Sequence, residues 1–405
     1  DRAHVGVLPV NVPRLLVVWM AGFQKVNRRV FAELAGKGVA VRLVVPDRYG
    51  HGDQAIPIAD AGADDAPYEL TPLTPKGGHP RLQTLSGLET VAQEFRPTHV
   101  LIDADPASML ALQALTLPGR PPVWALTAEN QPAFYGRDLV AALRARSPGK
   151  LAGVGLTFAL RKLVERRIAR VFTLSRDGTA VFEARGLHVT QTPLGFDPDL
   201  FFPLPEPDRQ AVRDELGLDR PVIAFFGRLA PEKGLHVLIR ALERLDDLPW
   251  QLLIDDFTTY SSVYAETLNV ELLGGAQKDR VVFFEARHEE MPRYMNAADI
   301  VVLPSVSTPK WKEQYGRVIQ EVMACGRTMV GSTSGAIPEV MGGHGHLFAE
   351  GCDRALARLL RRLLASGRFD DLAARDYAVA HLSVRRQAEI LAGLLQGAPC
   401  GEEAV

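Results

Sequence analysis

The stretch Trp311–Glu339, WKEQYGRVIQEVMACGRTMVGSTSGAIPE, sets two carboxylates, Glu313 and Glu321, eight positions apart on either side of Gly316. The run VIQEVMAC after Gly316 favours a helix, so Glu313 is expected in the loop that feeds it and Glu321 inside it. The backbone N–H groups of Gln314, Tyr315, Gly316 and Arg317 then lack intrahelical acceptors and form an anion site. Eight helical residues rise about 12 Å. Acids at both ends of an anion site suit a ligand with hydroxyls at its ends and phosphates between, the layout of a nucleotide sugar. Two Glu on a solvated helix face would show the same spacing, so the reading depends on what stands upstream.

Upstream, PVIAFFG (Pro221–Gly227) reads as a strand, and RLAPEKG follows it directly. Arg228 and Lys233 thus fall in a loop closed by Gly227 and Gly234, at a strand's carboxyl end. Arginine offers a fork and lysine a point charge for phosphate oxygens. The same alternation continues outward: strands WQLLIDD and VVFFEA, a short helix MPRYMNAA, a strand DIVVLPS ending at Ser305, a small strand TMVGS and the IPEVMG turn. Closing helices are expected over Arg354–Leu364 and Asp371–Leu395.

The first half opens the same way. LLVVWM (Leu15–Met20) is a buried strand, Ala21-Gly22-Phe23 a turn, 25–37 a helix and Val39–Pro46 a second strand. This is a βαβ start without the GxGxxG fingerprint. Residues 47–82 read as loop with an antiparallel or edge strand near Tyr68–Leu73. A helix over Gln83–Phe95 leads to a strand ending at Asp105, and Pro121–Asn130 is the next. Ligands of open α/β sheets lie off strand carboxyl ends, which directs Asp103, Asp105, Glu129 and Asn130 toward the expected cleft. Five prolines between Pro193 and Pro207 mark a linker. The expected domains are 1–200 and 201–376, with a C-terminal helix over 377–396 packing back on the first.

Composition bounds the function. The chain has 405 residues, 47% hydrophobic and 23% charged, with net charge −2, ordinary for a globular enzyme and without a general pull toward nucleic acid. Cys325, Cys352 and Cys400 share no metal-ligand spacing and suggest a reducing compartment. No signal peptide or spanning run is read, so a cytoplasmic location is expected. Residues 137–170 hold nine Lys or Arg against Asp138 and Glu165. That segment is either a solvated helical face or a contact to an anionic membrane or acidic acceptor.

FFGRLAPEKG, DIVVLPS, EQYGRVIQEVMACG, GSTSGAIPEV and the earlier PLGFDPDLF resemble the retaining glycosyltransferases of family 4, the glycogen-synthase-like group 1 enzymes. The resemblance covers the second half nearly end to end and is weaker in the first. It implies the glycosyltransferase-B fold, an α/β architecture of two Rossmann-like domains with parallel sheets facing across a cleft. It implies transfer of a sugar from a nucleoside-diphosphate sugar to an acceptor hydroxyl on a small molecule, a lipid carrier or a polysaccharide, without cofactor or metal. Arg228 and Lys233 would bind the diphosphate and stabilise it as it leaves. Glu313 would contact the sugar, Glu321 the ribose hydroxyls, and Gln314, Tyr315 and Gly316 would give backbone N–H groups. Gly22 matches the turn that approaches the donor from the first domain, and Glu285–His288, with Arg287, would line the base pocket. Asp105, Glu129 and Asn130 are the acceptor-side residues.

Three departures stand out. Asp255-Asp256-Phe257 replaces a Gly-rich turn, Ala128-Glu129-Asn130 stands where many members carry a His, and the double-Gly turn is reduced to Ala21-Gly22. Asp103-Ala-Asp105 spells a metal-binding triplet but lies in the first domain, so no metal is expected there. A phosphorylase, a nucleotide-sugar epimerase and a non-catalytic nucleotide-sugar-binding protein remain as alternatives. The intact Arg228, Lys233, Glu313 and Glu321 weigh against the last.

Overall fold

The computed structural model describes residues 12–49, 56–57, 67–77, 80–131, 135–255, 264, 266–268 and 277–397. The chain divides into two compact units. One takes in the described residues up to Leu174, with Gly178–Thr192 and those from Val384 onward; the other takes in Ser175–Asp177 and Pro193–Ser383. Asp256, Phe257 and Cys400 lie outside the described residues.

The first unit is a parallel sheet of β1 (Arg14–Val18), β2 (Ala40–Pro46), β3 (Glu69–Leu73), β4 (His99–Asp103), β5 (Val123–Thr127), β6 (Arg170–Thr173) and β7 (Val189–Gln191). Their order is β7-β6-β5-β4-β1-β2-β3. Near-continuous apolar runs such as RLLVV and VWALT are what a strand covered on both faces requires, and Leu15 to Val18 are fully buried. The edge strand read near Tyr68–Leu73 is present, paired parallel to β2. The helix expected over 25–37 shortens to Arg29–Gly36, because the chain first makes two 3₁₀ turns, Met20–Phe23 and Lys25–Arg28.

The second unit is a parallel sheet of β8 (Val222–Phe225), β9 (Gln251–Asp255), β10 (Val281–Phe284), β11 (Ile300–Leu303), β12 (Thr328–Ser332) and β13 (His346–Phe348). Its order is β10-β9-β8-β11-β12-β13. The order reverses between β8 and β11, and a doubly wound sheet opens its ligand crevice at such a reversal. The loops leaving these two strands carry Arg228, Lys233 and Glu313.

Two sequence expectations fail here. The single closing helix expected over 371–395, and with it the 377–396 segment, is two helices, Leu372–His381 and Val384–Leu395. The break falls where Phe196 pairs with Ser383 and its N–H donates to the Leu382 carbonyl, so strand-like pairing interrupts the helical ladder. Only the second helix belongs to the first unit, where Gln396 Nε2 donates to the Lys37 carbonyl. The proline-rich linker also hides a helix, Glu206–Glu215, that begins on Pro205 with proline in its first turn. Proline is accommodated there because the N–H it lacks would have no partner.

That helix locks the second sheet. Arg209 and Arg213 both reach the buried Asp299: Arg213 Nη1 lies 3.1 Å from Oδ2, and Arg209 Nη2 pairs with Oδ1. The Val222 N–H donates to Oδ2 at 2.7 Å, and the Asp299 N–H donates back to Val222 at 2.9 Å. One carboxylate thereby fixes the starts of β8 and β11, the strands that flank the reversal.

Candidate active site

The site is built from the β8 and β11 loops upward. Gly234 has φ +74, and a Cβ there would stand 1.9 Å from the Pro304 carbonyl oxygen. Only glycine lets the two loops meet so closely. The Val306 N–H donates to the Glu232 carbonyl at 2.8 Å and ties them together. Lys233, the residue before Gly234, is thereby aimed at the β11 side.

Lys233 Nζ lies 2.7 Å from Glu313 Oε2, and Ser305 Oγ donates to the same oxygen at 2.8 Å. The side chains of Lys233 and Glu313 are 16% and 5% exposed, so this ion pair is little screened by water. The Glu313 carbonyl accepts from the Ala336 N–H at 3.0 Å, and the Ser332 hydroxyl holds the Ser305 carbonyl. Lys233 Nζ also stands 5.0 Å from the Trp311 ring centroid, within cation–π range. Ser305 and Trp311 are site residues that the sequence reading missed.

Gly316 caps the helix Arg317–Ala324 at φ +79, with no side chain capping the N-terminus. The half-buried Gln314 precedes it. The Tyr315 side chain turns inward, its hydroxyl donating to Gln320 Oε1 at 2.8 Å, and burial pushes its phenol well up. Gln320 in turn holds the Leu194 carbonyl. Glu321 is buried on the same helix, and burial raises its carboxyl to about 7, only partly opposed by Arg317. His288 Nε2 stands 3.8 Å from Glu321 Oε1, but burial lowers this imidazole to about 4. The pair is therefore not a salt bridge near neutral pH.

The other expected residues have partners of their own. Arg228 is 60% exposed, with Glu232 at 3.9 Å as its ion-pair partner. Arg287 is 80% exposed and engaged by Glu290 at 3.4 Å. Gly22, Asp105, Glu129 and Asn130 belong to the first unit. Gly22 is required by packing: a Cβ there would meet Val45 Cγ1 at 2.7 Å. Its carbonyl accepts from the buried Arg28 Nε at 2.6 Å, and the Ala21 N–H donates to Asp103 Oδ2 at 3.2 Å. Asp105 pairs with Arg81 at 3.0 Å. Glu129 sits between Arg161 at 3.3 Å and Arg185 at 2.9 Å, while burial, with Asp105 nearby, raises its carboxyl. Asn130 is buried. Among the described residues no three His, Cys, Asp or Glu side chains gather as metal ligands.

Residues 220–366 match the family described as Glycosyl transferases group 1. Residues 220–366 are thus similar to the group 1 glycosyltransferases. The chain is 37% identical over 150 residues to a D-inositol 3-phosphate glycosyltransferase of Mycobacteroides abscessus, covering 36% of this chain and 31% of that protein. It is 33% identical over 244 residues to a GDP-mannose-dependent alpha-(1-6)-phosphatidylinositol monomannoside mannosyltransferase of Mycolicibacterium smegmatis, covering 56% and 60%. The chain thus spans less than two thirds of the length of these two curated relatives. Among solved structures it resembles HepE of Anabaena in complex with UDP-glucose, with TM-score 0.65 and 19% identity over 94% of this chain and 99% of that one. That likeness shows the fold alone, the glycosyltransferase-B fold with two parallel α/β sheets.

Proposed function

We propose that the protein is a retaining glycosyltransferase of family 4 that moves a sugar from a nucleoside-diphosphate sugar to an acceptor hydroxyl. The observation that carries this reading is the Lys233–Glu313–Ser305 group at the β8/β11 reversal, with Glu313 three residues before Gly316, where the next helix starts without a side-chain cap. Breaking the sugar–phosphate bond builds negative charge on the departing diphosphate. In this reading Lys233, Arg228 and the helix N–H groups stabilise that charge. Glu313 holds Lys233 and offers its carboxylate to the sugar hydroxyls. As the family resemblance implies, the departing phosphate takes the acceptor proton on the same face.

The reaction needs no metal in this reading. Turnover of a panel of nucleotide sugars, with the product anomer read by NMR, is expected to show retention and to persist in EDTA. Loss of activity in EDTA that Mn restores would overturn metal independence. Formation of an epimer without acceptor would favour the epimerase alternative. The acceptor is a small molecule, a lipid-linked sugar or a polysaccharide, met on the cytoplasmic side.

Glu321 supplies a pH test of ribose binding. Ribose hydroxyls donate to an ionised carboxylate, yet this carboxyl titrates near 7 without ligand. Below that pH a proton must leave on binding. Affinity for a nucleotide sugar is therefore expected to rise by up to about tenfold per pH unit toward 7 and to level off above it. Calorimetry in buffers of different ionisation enthalpy should detect proton release at pH 6, and Glu321→Gln should abolish it. A flat profile in the native protein would remove Glu321 from the ribose site.

A further inference from the structure

We infer that the helices Tyr135–Arg144 and Pro148–Leu163 of the first unit form a docking face for an anionic lipid bilayer. Of the sixteen residues of the second helix, only Leu160 is buried. Helices of this length gain most of their stability from packing an apolar face, and this one packs very little. Leu139, Val140 and Leu143 on the first helix, and Leu156, Phe158 and Leu163 on the second, are 41–68% exposed. Leu139, Val140 and Leu143 share one arc of their helix, and Leu156 and Leu163 are two turns apart on another.

Exposed cations interleave with these apolar side chains: Arg144, Arg146, Lys150, Lys162, Arg166 and Arg167. Lys162 Nζ stands 5.4 Å from the Phe158 ring centroid. No acidic residue occurs between Asp138 and Glu165. Arg161 turns inward to Glu129 at 3.3 Å and Glu165 at 3.5 Å, which anchors the end of the second helix to its own unit.

The charge pattern selects the occupant. A second copy on this face would bring two sets of cations together. A membrane interface accepts Leu and Phe at the boundary of its acyl chains and Lys or Arg among anionic headgroups. Among the described residues no helix is long and apolar enough to cross a membrane, so this contact is peripheral.

Sedimentation with phosphatidylcholine vesicles containing phosphatidylglycerol tests the assignment. The full chain should sediment with them at low salt, release at high salt, and ignore phosphatidylcholine alone. Arg144→Gln and Lys150→Gln should each weaken partitioning by about fivefold. The double variant Leu143→Ser/Leu163→Ser should weaken it by about tenfold or more, with Tm and nucleotide-sugar affinity unchanged. Phe158→Trp should give fluorescence quenched by brominated acyl chains. Equal partitioning into neutral vesicles, or none into either, would overturn the proposal. So would a solution dimer that Leu143→Ser/Leu163→Ser dissociates, since that outcome assigns the face to a second copy.

Discussion

Lys233→Ala is expected to lower the rate of sugar transfer by about 10²-fold or more, because the proposed mechanism sets this cation beside the developing diphosphate charge. Arg228→Ala is expected to act in the same direction and by a similar factor. The two differ in what they leave behind. Removing Lys233 leaves Glu313, 5% exposed, with Ser305 but without its ion-pair partner at 2.7 Å. A buried carboxylate so exposed to its own charge destabilises the fold as well. Lys233→Ala with Glu313→Gln separates the effects: stability returns while the transfer rate stays low. Arg228, at 60% exposure, carries no such structural load, and its variant should melt like the native protein. Near-normal transfer in both single variants would overturn the diphosphate assignment.

Asp299→Ala is expected to destabilise the protein by about 3–5 kcal/mol, the range for removing one partner of a buried charged network. Arg213 would remain buried without a carboxylate, Arg209 would keep only the exposed Glu206, and the Val222 N–H would lose its acceptor. Urea titration should show a lower midpoint for the second unit. Asp299→Asn, which keeps an acceptor and the side-chain shape, should cost less. Equal stability in native and Asp299→Ala proteins would show that the arginines find solvent or backbone partners instead.

Much of the fold was legible because parallel strands buried on both faces write themselves as short apolar runs between helical patterns. LLVVWM overlaps an observed strand, and PVIAFFG, TMVGS and DIVVLPS each contain one. The Glu206–Glu215 helix was not legible, since Pro203, Pro205 and Pro207 read as linker. Its signal was the pair Arg209 and Arg213, one turn apart, which makes sense only once Asp299 is placed between them. The break at Leu382–Ser383 was invisible for a related reason. Nothing local forbids a continuous helix there, and the pairing that ends it comes from Phe196, far back in the chain.

The Lys233–Glu313 contact joins residues 80 positions apart, and motif spacing only brought their loops to one sheet end. Ser305 and Trp311 escaped notice because a serine ending a strand and a tryptophan between two lysines carry no chemistry until Glu313 and Lys233 are seen beside them. The environments of Glu321 and His288 were equally hidden. Their titration depends on burial, which a sequence position does not display.

The crossing at Leu382–Ser383 has a consequence for how the molecule is made. The helix Val384–Leu395 belongs to the unit that the ribosome begins first, and it lies against the region of Lys37. The opening sheet therefore leaves the exit tunnel lacking one of its own helices, while nearly all of the other unit, from Pro193 on, is still to be translated. The half synthesised first is the half completed last, and a protein cut after residue 192 would be missing a part of the piece it was meant to isolate.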